Sequence, residues 1–190
     1  MNLNKGYWES RYEKMGGKRT VGKSSWDDKT YQEVLDQFNS GVLDAMMGGR
    51  RWGRILDFGC GIGRWRPGLE RRCGLYCGTD IIEEVLQDGC MLMTDNLIPY
   101  PEGYFGLIFS CMVLQHVVDD ELMADYVRQF KALLEPGGSV FLVENTSGPD
   151  NNYMRKRSAK DYIDIFSEGG LPLKKVGAFK EHSVLVSTEF

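Results

Sequence analysis

At 190 residues, with 42% hydrophobic and 26% charged side chains, the chain has the composition of a globular domain with one sizeable core, which excludes fibrous and disordered classes. A formal net charge of −4 argues against a generally basic nucleic-acid binder, while leaving room for a local basic patch. The polar start Met1-Asn2-Leu3-Asn4-Lys5-Gly6 lacks the apolar core of a secretory signal, and no run of about 18 apolar residues predicts a membrane span.

In chain order, residues 5–15 read as a helix with Trp8 and Tyr12 four apart on one face, ended by Gly16-Gly17 and followed by a polar loop to Ser25. Trp26-Asp27-Asp28 opens a second helix in which Val34, Leu35, Phe38, Val42 and Met46 recur at helical spacing, stopped by Gly48-Gly49. Residues 55–58 form a short apolar strand running into Gly59-Cys60-Gly61-Ile62-Gly63. A helix is expected over 64–72, with Pro67 in its first turn or limiting it. Strands at 75–79 and 90–94 flank a brief helix at 81–87. A loop with two prolines then leads to a near-continuous apolar strand at 105–111.

Residues 119–134 carry Leu122, Met123, Tyr126, Val127, Phe130, Leu133 and Leu134, an amphipathic pattern. Glu135-Pro136-Gly137-Gly138 reads as a sharp turn before a strand at 140–144, and a helix at 158–167 follows. Two final strands, 171–179 and 182–188, are joined tightly at Lys180-Glu181. Alternating strands and helices predict an α/β, Rossmann-like three-layer sandwich around a mostly parallel seven-stranded sheet. The tight last connection places an antiparallel strand near the C-terminal end.

Asp57-x-Gly59-x-Gly61-x-Gly63 follows a strand and precedes a helix, where glycines let the backbone turn tightly and approach a ligand. Asp80 ends the next strand, where a carboxylate can accept both hydroxyls of a ribose, and Asp95 ends the third, in reach of an adenine amino group. Three such ends at one sheet edge form one crevice for one adenosine. An NAD site would want a third glycine three residues after the second, and Arg64 occupies that position. Five cysteines, an odd number without a secretory signal, point to a cytoplasmic location. Cys73 and Cys77 form a CxxxC pair, but both histidines are remote, so buried free thiols rather than a metal site are expected.

The stretch Ile55-Leu56-Asp57-Phe58-Gly59-Cys60-Gly61-Ile62-Gly63 resembles the first motif of class I S-adenosylmethionine-dependent methyltransferases. Gly78-Thr79-Asp80 resembles the family's acidic end of strand two, and Thr94 through Phe105 its third-strand segment. Val113-Leu114-Gln115-His116 and Leu133-Leu134-Glu135-Pro136-Gly137-Gly138 resemble the fourth-strand and pre-fifth-strand motifs. The resemblance covers about residues 55–144, with the motifs in the family's order. It implies a single domain over 1–190, with residues 1–50 as a helical cap over a cofactor-binding core at 51–190.

By that resemblance S-adenosylmethionine is the cofactor and S-adenosylhomocysteine the product. Gly59 and Gly61 would pass its methionine portion, Asp80 would take the ribose, and Asp95, Asn96 and Leu97 the adenine. The Cys111 backbone would accept from the cofactor ammonium. Asp57, Cys60, Gly63, Ile81 and Met112 complete the expected lining, and Trp8, Arg11 and Tyr12 would cover the cofactor from the N-terminal helix, with Trp26 a weaker addition. Gly106 stands where the family often has Asp.

His116 lies near the mouth of the crevice and suits a general base where the acceptor must lose a proton; otherwise it finishes a loop. His182 reads as structural. Glu144 and Asn145 end strand five at the same edge, with a solvated loop the default for both. Two basic clusters, Arg64/Arg66/Arg71/Arg72 and Arg155/Arg157 with Lys156 and Lys160, read as solvated faces, the second also as a possible phosphate contact. No Pro-Pro-aromatic or Pro-Cys motif of base methylation occurs. A small-molecule acceptor leads, RNA or a protein side chain follows, and a binding module without catalysis stays open. No membrane partner is expected.

Overall fold

The computed structural model describes residues 4–16 and 27–187. Its sheet grows from the apolar runs of the sequence. Trp52–Phe58 is β1, Cys73–Asp80 β2, Cys90–Leu92 β3, Phe105–Cys111 β4, Leu134–Asn145 β5, Leu173–Phe179 β6 and His182–Ser187 β7. They lie in the order β3-β2-β1-β4-β5-β7-β6. Neighbours among β1 to β5 run parallel, whereas β7 is antiparallel to both β5 and β6. β4 is buried at every position, as a strand covered on both faces must be.

Successive strand residues point to opposite faces, and the two layers of helices divide accordingly. One face places Leu56, Phe58, Ile108 and Leu142 with Tyr126, Phe130, Tyr162 and Phe166. The last four come from α4 (Asp120–Leu133) and α5 (Ala159–Glu168). The other face places Ile55, Leu107, Phe109 and Phe141 with Phe38, Leu43, Trp65 and Leu69. These belong to α2 (Asp28–Phe38) and its π-helical continuation Asn39–Met47, and to the segment around α3 (Arg66–Glu70). Each such fully buried aromatic or aliphatic side chain contributes about 1.5–3 kcal/mol. The expected three-layer α/β sandwich is therefore present, with its one antiparallel strand at the C-terminal side. α1 (Lys5–Met15) buries none of its own residues.

The helix starts follow capping chemistry. Asp119 accepts from the Glu121 and Leu122 amides at 2.8 and 3.1 Å, and Ser158 and Asp161 form a reciprocal capping box. Three expectations need adjustment. The second helix widens after Phe38, so Val42, Leu43 and Met47 are buried instead of Met46. Gly68 makes the close approach possible, since a Cβ there would meet Leu43 Cδ1 at 2.5 Å and Asn39 Oδ1 at 2.6 Å. The helix expected over 81–87 is only a 3₁₀ turn, Glu83–Val85, because Asp80 takes the Ile82 amide and holds Ile82 extended. The turn expected at 135–138 is an irregular stretch of β5 itself, with a register shift opposite Phe105 and Leu107.

Among the described residues, no helix is long and apolar enough to cross a membrane, and no cluster of three metal-ligating side chains occurs. Trp26, the Gly17–Ser25 loop and Thr188 lie outside the described residues.

Candidate active site

β1 pairs with β2 on one side and β4 on the other, so the chain reverses its direction of travel across the sheet there. Such a switch point leaves a crevice at the carboxyl ends of the strands. Here the crevice opens into a cavity of about 900 Å³.

Its floor is the turn after β1. Gly59 has φ +70°, and a Cβ on it would sit 2.4 Å from Val113 Cγ2, so only glycine fits. The Gly59 and Cys60 amides donate to the Thr79 carbonyl at 2.8 and 3.0 Å, tying the turn to β2. Asp80 extends the tie: its Oδ2 accepts from the Gly61 amide at 2.8 Å and its Oδ1 from Ile82 at 3.1 Å. Burial raises the Asp80 carboxyl above its ordinary value, and the backbone donors oppose that rise. Two carboxylate oxygens offer about four acceptor sites, so capacity remains beyond these backbone donors. Beside Asp80, the wall carries Asn96 among apolar Ile82, Val85, Met93 and Val117. At the end of β4, Met112 takes a left-handed backbone (φ +62°), and its amide reaches the Val143 carbonyl at 2.7 Å.

The opposite end is closed by α1 and the loop after β5. Asn4 donates through Nδ2 to the His116 carbonyl, and Trp8 meets the His116 ring edge to face at 4.9 Å. Tyr7 stacks on Tyr153 with centroids 4.4 Å apart. His116 Nδ1 lies 2.8 Å from the Tyr153 carbonyl, a pure acceptor, so Nδ1 carries the proton. Nε2 is then the basic nitrogen, 3.2 Å from Gln115 Nε2, whose amide oxygen accepts from the Asn145 amide at 2.8 Å. Burial lowers the His116 pKa, the Arg11 charge adds to that, and the Tyr153 carbonyl opposes it. Burial thus favours the neutral ring.

The turn bearing His116 is anchored from β5. Glu144 is fully buried and takes four donors: Ser110 Oγ at 3.2 Å and the Val113, Leu114 and Gln115 amides at 3.3, 3.1 and 3.1 Å. Burial pushes its carboxyl up to about 7 against those bonds.

A methyltransferase-domain family model matches residues 25–172. The chain belongs to that family, within the class I S-adenosylmethionine-dependent superfamily. Phosphoethanolamine N-methyltransferase 3 of Arabidopsis thaliana is 26% identical over 133 residues, 60% of this chain and 27% of that protein. The ubiquinone biosynthesis O-methyltransferase of Alkalilimnicola ehrlichii is 25% identical over 160 residues, 76% of this chain and 64% of its relative. Both matches thus span less than two thirds of the relative's length. A methyltransferase structure from Leishmania major superposes with a TM-score of 0.72 at 18% identity, covering 95% of this chain and 82% of that one.

The methyltransferase cavity suits the family's cofactor, S-adenosylmethionine. Its volume is in the range of small-molecule sites, and its wall combines polar Asp80 and Asn96 with apolar Ile82, Val85, Met93 and Val117, a mixed lining that fits a nucleoside.

Of the residues singled out in the sequence, Trp8, Arg11, Gly59, Cys60, Gly61, Asp80, Ile81, Asn96, Cys111, Met112 and His116 all line this cavity. Five others do not. Tyr12 is half-buried on α1 away from it. Asp57 lies beneath the glycine turn, 1% exposed, accepting from the Tyr76 hydroxyl at 2.8 Å, and burial pushes its carboxyl up to about 7. Gly63 packs on Gln87. Asp95 is exposed and Leu97 is 62% exposed, because residues 94–97 form a tight turn with Asp95 and Asn96 in left-handed conformations.

Several residues of the methyltransferase site were read otherwise from sequence. Arg64, placed among solvated bases, is in the cavity wall with its guanidinium 4.5 Å from the Trp65 ring centre. Its position directly after Gly63 was the available signal. Gln115 stood in the fourth-strand motif beside His116 without a role assigned, and Asn4 and Tyr153 gave no signal. Glu144, whose default was a solvated loop, is an internal anchor. In the second basic cluster Arg155, Lys156 and Lys160 are exposed as expected, whereas Arg157 is internal, 3% exposed and holding the Leu114 and Val117 carbonyls and Asp120. His182, read as structural, reaches the Phe179 carbonyl within its hairpin and also touches the cavity.

Proposed function

We propose that this chain transfers a methyl group from S-adenosylmethionine to a small-molecule acceptor that lies beside His116. The observation that carries the reading is one continuous cavity joining the Gly59–Gly61 turn and Asp80 to a neutral His116 under the aromatic roof of α1. When bound, the cofactor supplies an electrophilic methyl group on a sulfonium.

The chain's own residues then have separable tasks. Asp80 accepts from the ribose hydroxyls, with Asn96 and its apolar neighbours against the adenine. Gly59 and Gly61 admit the methionine portion, whose ammonium meets the Cys111 backbone and whose carboxylate faces Arg64. The Trp8 ring shields the reacting centre from water. His116 Nε2 takes the proton from an acceptor that must lose one, the acceptor displacing the Gln115 amide nitrogen that faces it, while the Tyr153 carbonyl holds the tautomer. Enclosure by α1 and Tyr153 favours a small acceptor over a polymer, as do relatives named for phosphoethanolamine and for ubiquinone biosynthesis.

The test is a methyl-transfer assay with labelled S-adenosylmethionine against a panel of small amines, including phosphoethanolamine, and phenols. Transfer to a panel member that is lost on blocking the cavity supports the reading. Binding of the cofactor without transfer to any small molecule, RNA or protein substrate would favour a non-catalytic module.

A further inference from the structure

Gly78 sits in the middle of β2, and its missing side chain leaves a space that two sulfur atoms share. A Cβ at Gly78 would lie 2.5 Å from Cys90 Sγ and 2.9 Å from Cys60 Sγ. Cys90 is registered directly across from Gly78 on β3, while Cys60 reaches in from the glycine turn above. The two sulfurs therefore face one another across the space above Gly78. None of the five cysteines is in a disulfide.

The two partners differ chemically. Cys60 is 3% exposed, and the neighbouring Cys90 sulfur together with burial holds it as a thiol. Cys90 is partly exposed, and the neighbouring Cys60 thiol, with the Arg66 guanidinium nearby, brings its pKa down. For Cys73, Cys77 and Cys111 burial is the largest influence, and it raises all three.

We propose that Cys60 and Cys90 form a peroxide-reactive dithiol whose oxidation disables the cofactor turn. The Cys90 sulfur attacks a peroxide oxygen, the O–O bond breaks, and hydroxide leaves, giving a sulfenic acid at Cys90. The Cys60 sulfur then attacks the Cys90 sulfur, water leaves with the Cys60 proton, and a disulfide remains. Two thiols have been oxidised and one hydroperoxide reduced to water and its hydroxyl partner.

The consequence follows from where Cys60 sits. It lies between Gly59 and Gly61, and its amide holds the Thr79 carbonyl at 3.0 Å. Drawing two non-bonded sulfurs together to about 2.05 Å pulls the turn toward β3. The Gly61 amide and Asp80, now 2.8 Å apart, shift with it, and the cofactor loses its fitted floor. The bond itself does not depend on what the cavity binds; only its effect rests on the proposed cofactor contacts.

The reduced chain is treated with stoichiometric hydrogen peroxide, alkylated and peptide-mapped, and S-adenosylmethionine is titrated before and after treatment and again after dithiothreitol. The expected result is a Cys60–Cys90 linked peptide and a loss of affinity of about tenfold or more, as when backbone donors miss their ligand, reversed by dithiothreitol. Cys90→Ser should bind the cofactor as the reduced native chain does and keep that affinity in peroxide. Should Cys90→Ser not fold, the native chain's map and its dithiothreitol reversal decide. Oxidation without the Cys60–Cys90 link, or the link with unchanged affinity, overturns the proposal. A reduced chain that binds no S-adenosylmethionine would sink the cofactor contacts instead, with the peptide map still deciding the dithiol.

Discussion

Glu144 at the end of β5 holds Gln115 by its backbone: the Gln115 amide donates to Glu144 Oε2 at 3.1 Å, while Oε1 takes the neighbouring Leu114 amide at 3.1 Å. His116 follows directly, so the orientation of the candidate base descends from a buried carboxylate that never touches the cavity. The Gln115 side chain closes the loop, since its oxygen accepts from Asn145 and its nitrogen faces His116 Nε2.

Glu144→Gln replaces an acceptor by an NH₂ group facing backbone donors. We expect a loss of about 1–3 kcal/mol in stability, the cost of a buried unsatisfied polar group, read from denaturant unfolding. Turnover should fall further than the unfolded fraction explains. Unchanged stability would mean the four donors find other partners.

Asp57 and Glu144 share a pH signature. Each has a folded pKa raised to about 7 by burial, from ordinary values of 3.8 and 4.5. Between the ordinary and raised values the folded state holds protons that the unfolded chain has released, so stability falls as pH rises through that window. This contribution is fully present below about pH 4, declines as pH rises towards about 7 and levels off above that. Asp57→Asn should flatten the slope in unfolding experiments run across this range; an unaltered slope would contradict the assignment.

His116→Ala should lower turnover by about 100-fold or more, within the usual range for a general acid or base, with cofactor affinity nearly unchanged. Equal loss of both would make His116 a wall residue. Equal retention would remove it from the chemistry.

Gly59→Ala forces a Cβ to within 2.4 Å of Val113 Cγ2 at a φ of +70°. The expected cost is about 1–3 kcal/mol for overpacking and backbone strain, seen as a lower Tm. Val113→Ala should restore part of it, since it removes the clash and leaves the unfavourable φ.

What could be read from the sequence was what local chemistry determines. The run at 105–111 is continuous and apolar, and its strand has those bounds. Asp119 and Ser158 announce their helices because a cap is a contact over two or three residues. The glycine turn and Asp80 were legible for the same reason, as a strand end followed by a sharp turn. The rest depends on long-range partners. Asn4 reaches His116 across 112 residues, and Glu144 meets amides about 30 residues away. No local pattern marks either. Asp95 reads as a strand-end acid, yet β3 stops at Leu92 and the tight 94–97 turn leaves Asp95 exposed. The widened helix after Phe38 follows from a close approach to Gly68, which sequence periodicity cannot register.

The central claim, that the cavity between Asp80 and His116 is a cofactor site, is tested most directly by calorimetric titration of the native chain and of Asp80→Asn with S-adenosylmethionine, with S-adenosylhomocysteine and NADH for comparison. Saturable binding of the first two ligands, and none of NADH, is expected. Folded Asp80→Asn should bind more weakly by about 1–3 kcal/mol, the range for charged hydrogen bonds. No binding by a folded native chain, or equal affinity in Asp80→Asn, would contradict that claim.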